Sequence, residues 1–455
     1  MDTKEYIQQL IRKGRVAQEE FENYSQEQVD RAVRAVGKII YDNAEMLARM
    51  AVDETRMGRY EDKIVKNKAK AKIVWYKLKG VKSRGILRYL DDIGVVEIAK
   101  PIGVIGCVAP TTNPTMTPNH NAMIALKGGN AIIVCPHPRA KQTGVKTVEL
   151  MRQALRNLDY PEDLIQVVPE PTMEASSLIM QMCDACVSTG GPGMVKAAYS
   201  SGKPAFGVGA GNVQSLVDTD ADLAEAAAKI ARSRTYDNGV LCTCEQCVHI
   251  HTNSFDEMVA LLVEQGGAYI GQGADITALR SAMFQNGAIN KAVVGATPQE
   301  IAAMAGLTVP EDARFLLVRL TEGGADEDLS REKLCPVLGI CPYDTWEDAV
   351  DLAVKNLKNE GAGHSAILHS HNRAHVEYAA LRLPVSRIGV NLVGSSGLGG
   401  GFDCGLNPTA TLGCGTWGNN SISENLWWHH LVNISRIAYQ MPDNPVPTDE
   451  EIWAE

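Results

Sequence analysis

Three cysteines crowd one short segment, "TYDNGVLCTCEQCVHI" at 235–250: Cys242, Cys244 and Cys247. Thiols at this spacing suit three chemistries: a metal site, a disulfide, or one nucleophile that attacks an electrophilic carbon. Cys183 and Cys186 add a C-x-x-C pair, but they flank the start of an apolar strand and Cys247 begins another. Packing explains those three, and no metal is expected. Cys242 differs, because the "DNG" turn before it delivers its sulfur to a junction between two α/β units. A thiol that adds to a carbonyl generates an oxyanion, which needs donors: the backbone N–H beside the nucleophile and one side-chain amide. Asn113 in "APTTNPT" offers that amide from a loop after an apolar strand. On local grounds alone it reads first as a turn residue, since Asn-Pro commonly starts a turn.

The elements that must position these groups come from a chain of 455 residues, too long for one ordinary core. Its formal charge is −10 with basic residues scattered, so no nucleic-acid partner is expected. No apolar run approaches the roughly 18 to 20 residues that cross a bilayer, and the charged N-terminus is not a secretory signal. A cytoplasmic enzyme with no membrane partner follows, and its eleven cysteines read as reduced thiols, mostly small buried residues.

Behind Ser25 and Gln28, a capping box, Val29, Ala32, Val33, Val36, Ile39 and Ile40 recur at helical spacing. The lysines of "KIVKNKAKAKIVWYKLKG" read as the solvated face of a further helix. Short β-branched runs ending in Pro or Gly then alternate with helices from "KPIGVIGCVAP" through "GMVKAAYSSG", the pattern of a doubly wound, mostly parallel sheet. A second α/β alternation runs from near Gly239 through "RIGVNLV". The expected organisation is a cofactor-binding domain over 1–85 and 104–234 and a catalytic domain over 235–415. The hairpin 86–103 and the tail 416–455 are expected to join copies of the chain into a homodimer or homotetramer.

Taken in order, "KPIGVIGCVAPTTNPT", "ALKGGNAIIVCPHPRAK", "STGGPGMVKAAYSSGKPAFGVGAGN", "YDNGVLCTCEQ", "EKLCPVL", "NEGAGHSA" and "TLGCGTWGNNSISENL" cover nearly the whole chain. Together they resemble the aldehyde dehydrogenase superfamily, specifically its CoA-acylating branch. The resemblance implies the α/β fold of that family, with cofactor-binding and catalytic domains and a small oligomerisation element. It makes Cys242 the nucleophile, and Asn113 with the Cys242 N–H the oxyanion hole. Glu332 then holds the nicotinamide ribose, and Ser188, Thr189, Gly190 and Gly191 form the turn beside the pyrophosphate and nicotinamide. Gly209 and Gly211 face the nicotinamide. His364 matches a histidine typical of acylating members, and is otherwise a polar loop residue.

One departure from the wider superfamily carries the functional expectation. Hydrolytic members have a glutamate that activates water in the segment matching "FGVGAGN", and 206–212 holds no carboxylate. Water without a base is a poor nucleophile, whereas a CoA thiol is partly ionised, so CoA is expected as co-substrate. A hydrolytic dehydrogenase and a non-catalytic metal-binding protein are the alternatives. The strand-end segment with Pro136, His137, Arg139 and Lys141 matches the adenosine ribose site, and its two cations suit a 2′-phosphate, favouring NADP over NAD. The aldehyde implied is short with an anionic tail, succinate semialdehyde first and sulfoacetaldehyde second. Thr112, Ser395 and Ser396 lie on loops expected to line its pocket. Arg387 suits an anion partner or a structural salt bridge.

Overall fold

The structure, a computed structural model, describes residues 2–455. Helices Thr3–Phe21, Gln26–Asp42, Ala44–Thr55 and Tyr60–Leu78 open the chain. Ser25 and Gln28 close the expected capping box on the second, and Val29, Ala32, Val33, Val36 and Ile40 are buried along its inner face. That face packs into one large core with a five-stranded sheet.

The five-stranded sheet is parallel, in the order Ile165–Val167, Ala131–Cys135, Val104–Val108, Ala185–Thr189, Ala205–Val208. Val104–Val108 and Ala131–Cys135 are buried at every position, as continuous apolar runs must be when helices cover both faces. The chain leaves Val104–Val108 toward one edge and later returns to Ala185–Thr189 on its other side. Their diverging loops make a topological switch point, where open α/β sheets bind ligands.

A seven-stranded parallel sheet follows, in the order Gly267–Ile270, Phe315–Arg319, Val337–Tyr343, Glu245–His251, Val213–Val217, Gly363–His369, Val385–Val390. The expected boundary at 234 is therefore corrected. Val213–Val217 pairs with Glu245–His251 inside this sheet, and helix Leu223–Thr235 buries Ala226, Ala227, Ile230 and Ala231 in the same core. The crossing between sheets is the short segment 209–212, whose two glycines carry no side chain to signal a domain change.

The expected hairpin is present as Gly85–Leu90 and Val95–Pro101, turning at Gly94 with φ 62°, and Val432–Ala438 from the tail adds a third antiparallel strand. Among the described residues, no helix is long and apolar enough to cross a membrane.

Candidate active site

A cavity of about 490 Å³ opens between the two sheets. On one side it is lined by loops that follow strands of the five-stranded sheet: Thr111 to Asn113, Pro136 to Arg139, Thr189 to Gly191, and Gly209 with Ala210. On the other stand Cys242 and Glu332, each just before a strand of the seven-stranded sheet, Glu245–His251 and Val337–Tyr343. The second sheet thus presents its amino ends to a site that the first meets with its carboxyl ends.

Cys242 is half-buried, packed against Cys414, Val208 and Leu412. Burial pushes its thiol well above the ordinary range, the Glu332 carboxylate adds to the rise, and the nearby Arg387 guanidinium opposes it. The resting sulfur is therefore a thiol. Glu332 is itself pushed up to about 8 by burial and by Glu360, although the Gly211 N–H donates to its carboxylate at 2.9 Å. Gly211 packs on Cys242 with no space for a side chain.

Asn113 reaches the same cavity from the loop before helix Met116–Lys127, which is buried over its whole length. Its Oδ1 accepts from Lys66 Nζ at 2.7 Å. Lys66 Nζ also lies 2.5 Å from Asp237 Oδ2, and Lys63 Nζ lies 3.1 Å from the same oxygen. These lysines are only 6% and 3% exposed, so the expectation of a solvated face is overturned. Lys63 and Lys66 share the helix face of Ala71, Val74 and Leu78, which is the buried face. Burial disfavours the charge of Asp237, but Lys66 and Lys63 hold its carboxyl below the ordinary range. Asp237 belongs to the turn before Cys242, where Asp237, Asn238 and Gly239 all have positive φ.

With this geometry in place, the chain from residue 1 to 402 matches the family described as the aldehyde dehydrogenase family. The chain belongs to that family. It is 47% identical over 453 residues to the succinate-semialdehyde dehydrogenase (acetylating) of Clostridium kluyveri, covering 100% of each chain. Its structure is similar to that of an acetylating aldehyde dehydrogenase from Geobacillus thermoglucosidasius, with TM-score 0.94 and 36% identity over 98% of each chain. It is also similar to a propionaldehyde dehydrogenase from Rhodopseudomonas palustris solved with CoA and an acylated cysteine, with TM-score 0.83 and 27% identity over 95% of this chain and 97% of that one.

Not every expected residue of this aldehyde dehydrogenase faces the cavity. Lys141 turns away to an ion pair with Glu170 at 2.7 Å; its place as a second cation is taken by Lys291, which lines the cavity with Arg139. Sequence reading missed Lys291 because it comes from the other domain with no motif around it. Arg387 is 4% exposed and donates from its two terminal nitrogens to the carbonyls of His364 and Gly413 and the hydroxyl of Ser365, while its Nε has no partner among the described residues. Among the described residues it has no carboxylate partner, so the salt-bridge reading is corrected, and it does not line the cavity where an anion partner was expected. Ser395 donates its N–H to Ser233 Oγ and accepts from Thr243 Oγ1, tying its loop to the nucleophile segment, and Ser396 is exposed. Neither serine lines the cavity, whereas Thr112 does. His364 is fully buried behind it, and neither ring nitrogen has a hydrogen-bond partner among the described residues. Burial, then Arg387, push its imidazole down to about 3, so it is neutral. Ser188 is buried beneath the turn whose next residues, Thr189 to Gly191, line the cavity.

The residues present fit a dinucleotide. The cavity lies at the switch point, Gly191 and Gly193 have no atom within 4 Å of where a Cβ would stand, and helix Pro192–Tyr199 starts beside it. Among the described lining residues Glu332 is the one acid, against the cations Arg139 and Lys291.

Proposed function

We propose that the chain is a CoA-acylating aldehyde dehydrogenase in which Cys242 carries the acyl group and CoA removes it, with succinate semialdehyde as aldehyde and NADP(H) as redox partner. One observation carries the reading. The segment 206–212, beside Cys242, offers no carboxylate to activate water, and Gly211 has no room to be replaced by one. Among the described lining residues the one acid, Glu332, accepts the Gly211 N–H at 2.9 Å.

The Cys242 sulfur adds to the aldehyde carbon, and its proton passes to solvent water in the open cavity. Asn113 Nδ2 and the Cys242 N–H hold the oxyanion that forms. A bound nicotinamide dinucleotide would supply the hydride acceptor here: Thr189 to Gly191 would hold its pyrophosphate, Glu332 would accept from its ribose hydroxyls, and Arg139 with Lys291 would meet an adenosine phosphate. The acyl group left on Cys242 is a thioester, and the CoA thiol displaces it, restoring the Cys242 thiol. Glycines at 207, 209 and 211 keep bases away from that thioester, so thiolysis outruns hydrolysis.

Succinate semialdehyde is supported by the Clostridium kluyveri relative. A CoA-dependent assay over succinate semialdehyde, sulfoacetaldehyde, acetaldehyde, propionaldehyde and butyraldehyde tests it: kcat/KM is expected to be highest for succinate semialdehyde, and a higher value for any other rejects the assignment. The three-stranded ribbon leaves Tyr89, Ile93, Ile437 and Tyr439 exposed, which supports a homo-oligomer built on it, and light scattering giving a monomer mass would reject that. Eleven free thiols support a reducing, cytoplasmic setting.

A further inference from the structure

The Lys66 side chain hydrogen-bonds both Asn113, on the loop before helix Met116–Lys127, and Asp237, in the turn that leads to Cys242. Its Nζ lies 2.7 Å from Asn113 Oδ1 and 2.5 Å from Asp237 Oδ2, with 6% of the lysine side chain exposed. An ammonium group only donates, so the amide oxygen of Asn113 must face it. The other end of that amide, Nδ2, is then the end free to serve the cavity; its one partner is Thr112 Oγ1 at a long 3.4 Å. A cation on the amide oxygen also polarises the group and makes Nδ2–H a stronger donor.

The other half of the contact fixes where Lys66 stands. Asp237 Oδ1 accepts the Arg59 N–H at 2.8 Å, and the Asp237 N–H donates to Asp62 at 2.9 Å. Gly58 makes this approach possible, since a Cβ there would lie 2.0 Å from Asp237 Oδ1. Asp237 is thus clamped from several directions despite its φ of 52°. The ammonium that bridges it to Asn113 ties the oxyanion donor to the nucleophile's own turn.

We propose that Lys66 is a positioning residue for the oxyanion hole: it fixes which end of the Asn113 amide faces the substrate and holds that amide in register with Cys242 through Asp237. This rests on the reading of Asn113 as oxyanion donor. Lys63 shares the Asp237 carboxylate but has no bond to Asn113, which makes it the control.

The test is a double-mutant cycle with kcat, KM for the aldehyde and thermal stability as readouts. Lys66→Met is expected to lower kcat by about 10-fold to 100-fold with a much smaller change in KM, and Lys63→Met to lower kcat by far less. In the Asn113→Ala background, Lys66→Met should cost less than about 3-fold, because the group it positions is gone. Two results overturn the proposal: Lys66→Met that keeps kcat within about 2-fold, or the same loss in both backgrounds. An equal loss from Lys63→Met also overturns it, by tracing the effect to Asp237 alone. If Lys66→Met does not fold, the pair Lys66→Met with Asp237→Asn removes the stranded carboxylate and is read in the same two backgrounds. Near-normal turnover in Asn113→Ala alone would reject the oxyanion reading instead, so the two failures are told apart.

Discussion

A Cβ on Gly211 would stand 2.2 Å from the Cys242 carbonyl oxygen and 2.7 Å from the Cys242 Cβ. The backbone of the crossing between the two sheets is therefore the wall against which Cys242 is seated. Gly211→Ala must push Cys242 out of place. We expect kcat to fall by about 100-fold while the protein still folds, since overpacking of this kind costs about 1–3 kcal/mol. Steady-state kinetics with a thermal melt check this, and kcat within about 2-fold of the parent would contradict it.

The proposed role of Asn113 as oxyanion donor predicts a second loss. Asn113→Ala is expected to slow turnover by about 100-fold to 1,000-fold at saturating aldehyde, measured by the rate of NADPH formation with CoA present.

The cations of the cavity predict a pattern in coenzyme choice. Arg139→Ala and Lys291→Ala should each lower the ratio of kcat/KM for NADP to that for NAD. Lys141→Ala should leave the ratio unchanged, because Lys141 is held by Glu170. A shift with Lys141→Ala and none with Lys291→Ala would reverse the assignment.

Glu332 predicts a pH dependence of stability. Its folded pKa, pushed up to about 8 by burial and Glu360, lies above the ordinary 4.5. Across that window the folded protein holds a proton that the unfolded chain has released, so this group's contribution to stability is full below about 4.5 and is lost as pH rises through about 8. Glu332→Gln keeps an acceptor for the Gly211 N–H and removes the titration. Urea unfolding at pH 5, 6.5 and 8.5 should therefore find the variant gaining on the parent as pH rises; parallel curves would exclude the shift.

Exposure separates the thiols. Cys242 and Cys404 are half-buried and the other cysteines are buried. Cys244 in particular is fully buried, whereas Cys242 opens on the cavity. Brief alkylation followed by peptide mass mapping should label Cys242 and Cys404, with activity lost in step with Cys242 alone.

The fold and the meeting of Cys242, Asn113 and Glu332 at one cavity were legible because their signals are local: β-branched runs, a capping box at Ser25, and motifs that keep those three residues in a fixed order. Lys66 was not, because charge suggests solvent and only the period shared with Ala71 and Val74 marks its face as buried. Lys141 and Lys291 exchange places for a related reason: which cation reaches a cavity depends on the pairing of Lys141 with Glu170, a contact across 29 positions of chain. The crossing at 209–212 was hidden because glycines mark a turn but not a change of sheet.

Acyl transfer from Cys242 to the CoA thiol is the proposed step that sets this enzyme apart from hydrolytic aldehyde dehydrogenases. NADPH formation from succinate semialdehyde, followed first without CoA and then after its addition, tests this most directly. About one NADPH per subunit is expected before CoA is added and steady turnover afterwards; sustained turnover without CoA would show instead that water removes the acyl group.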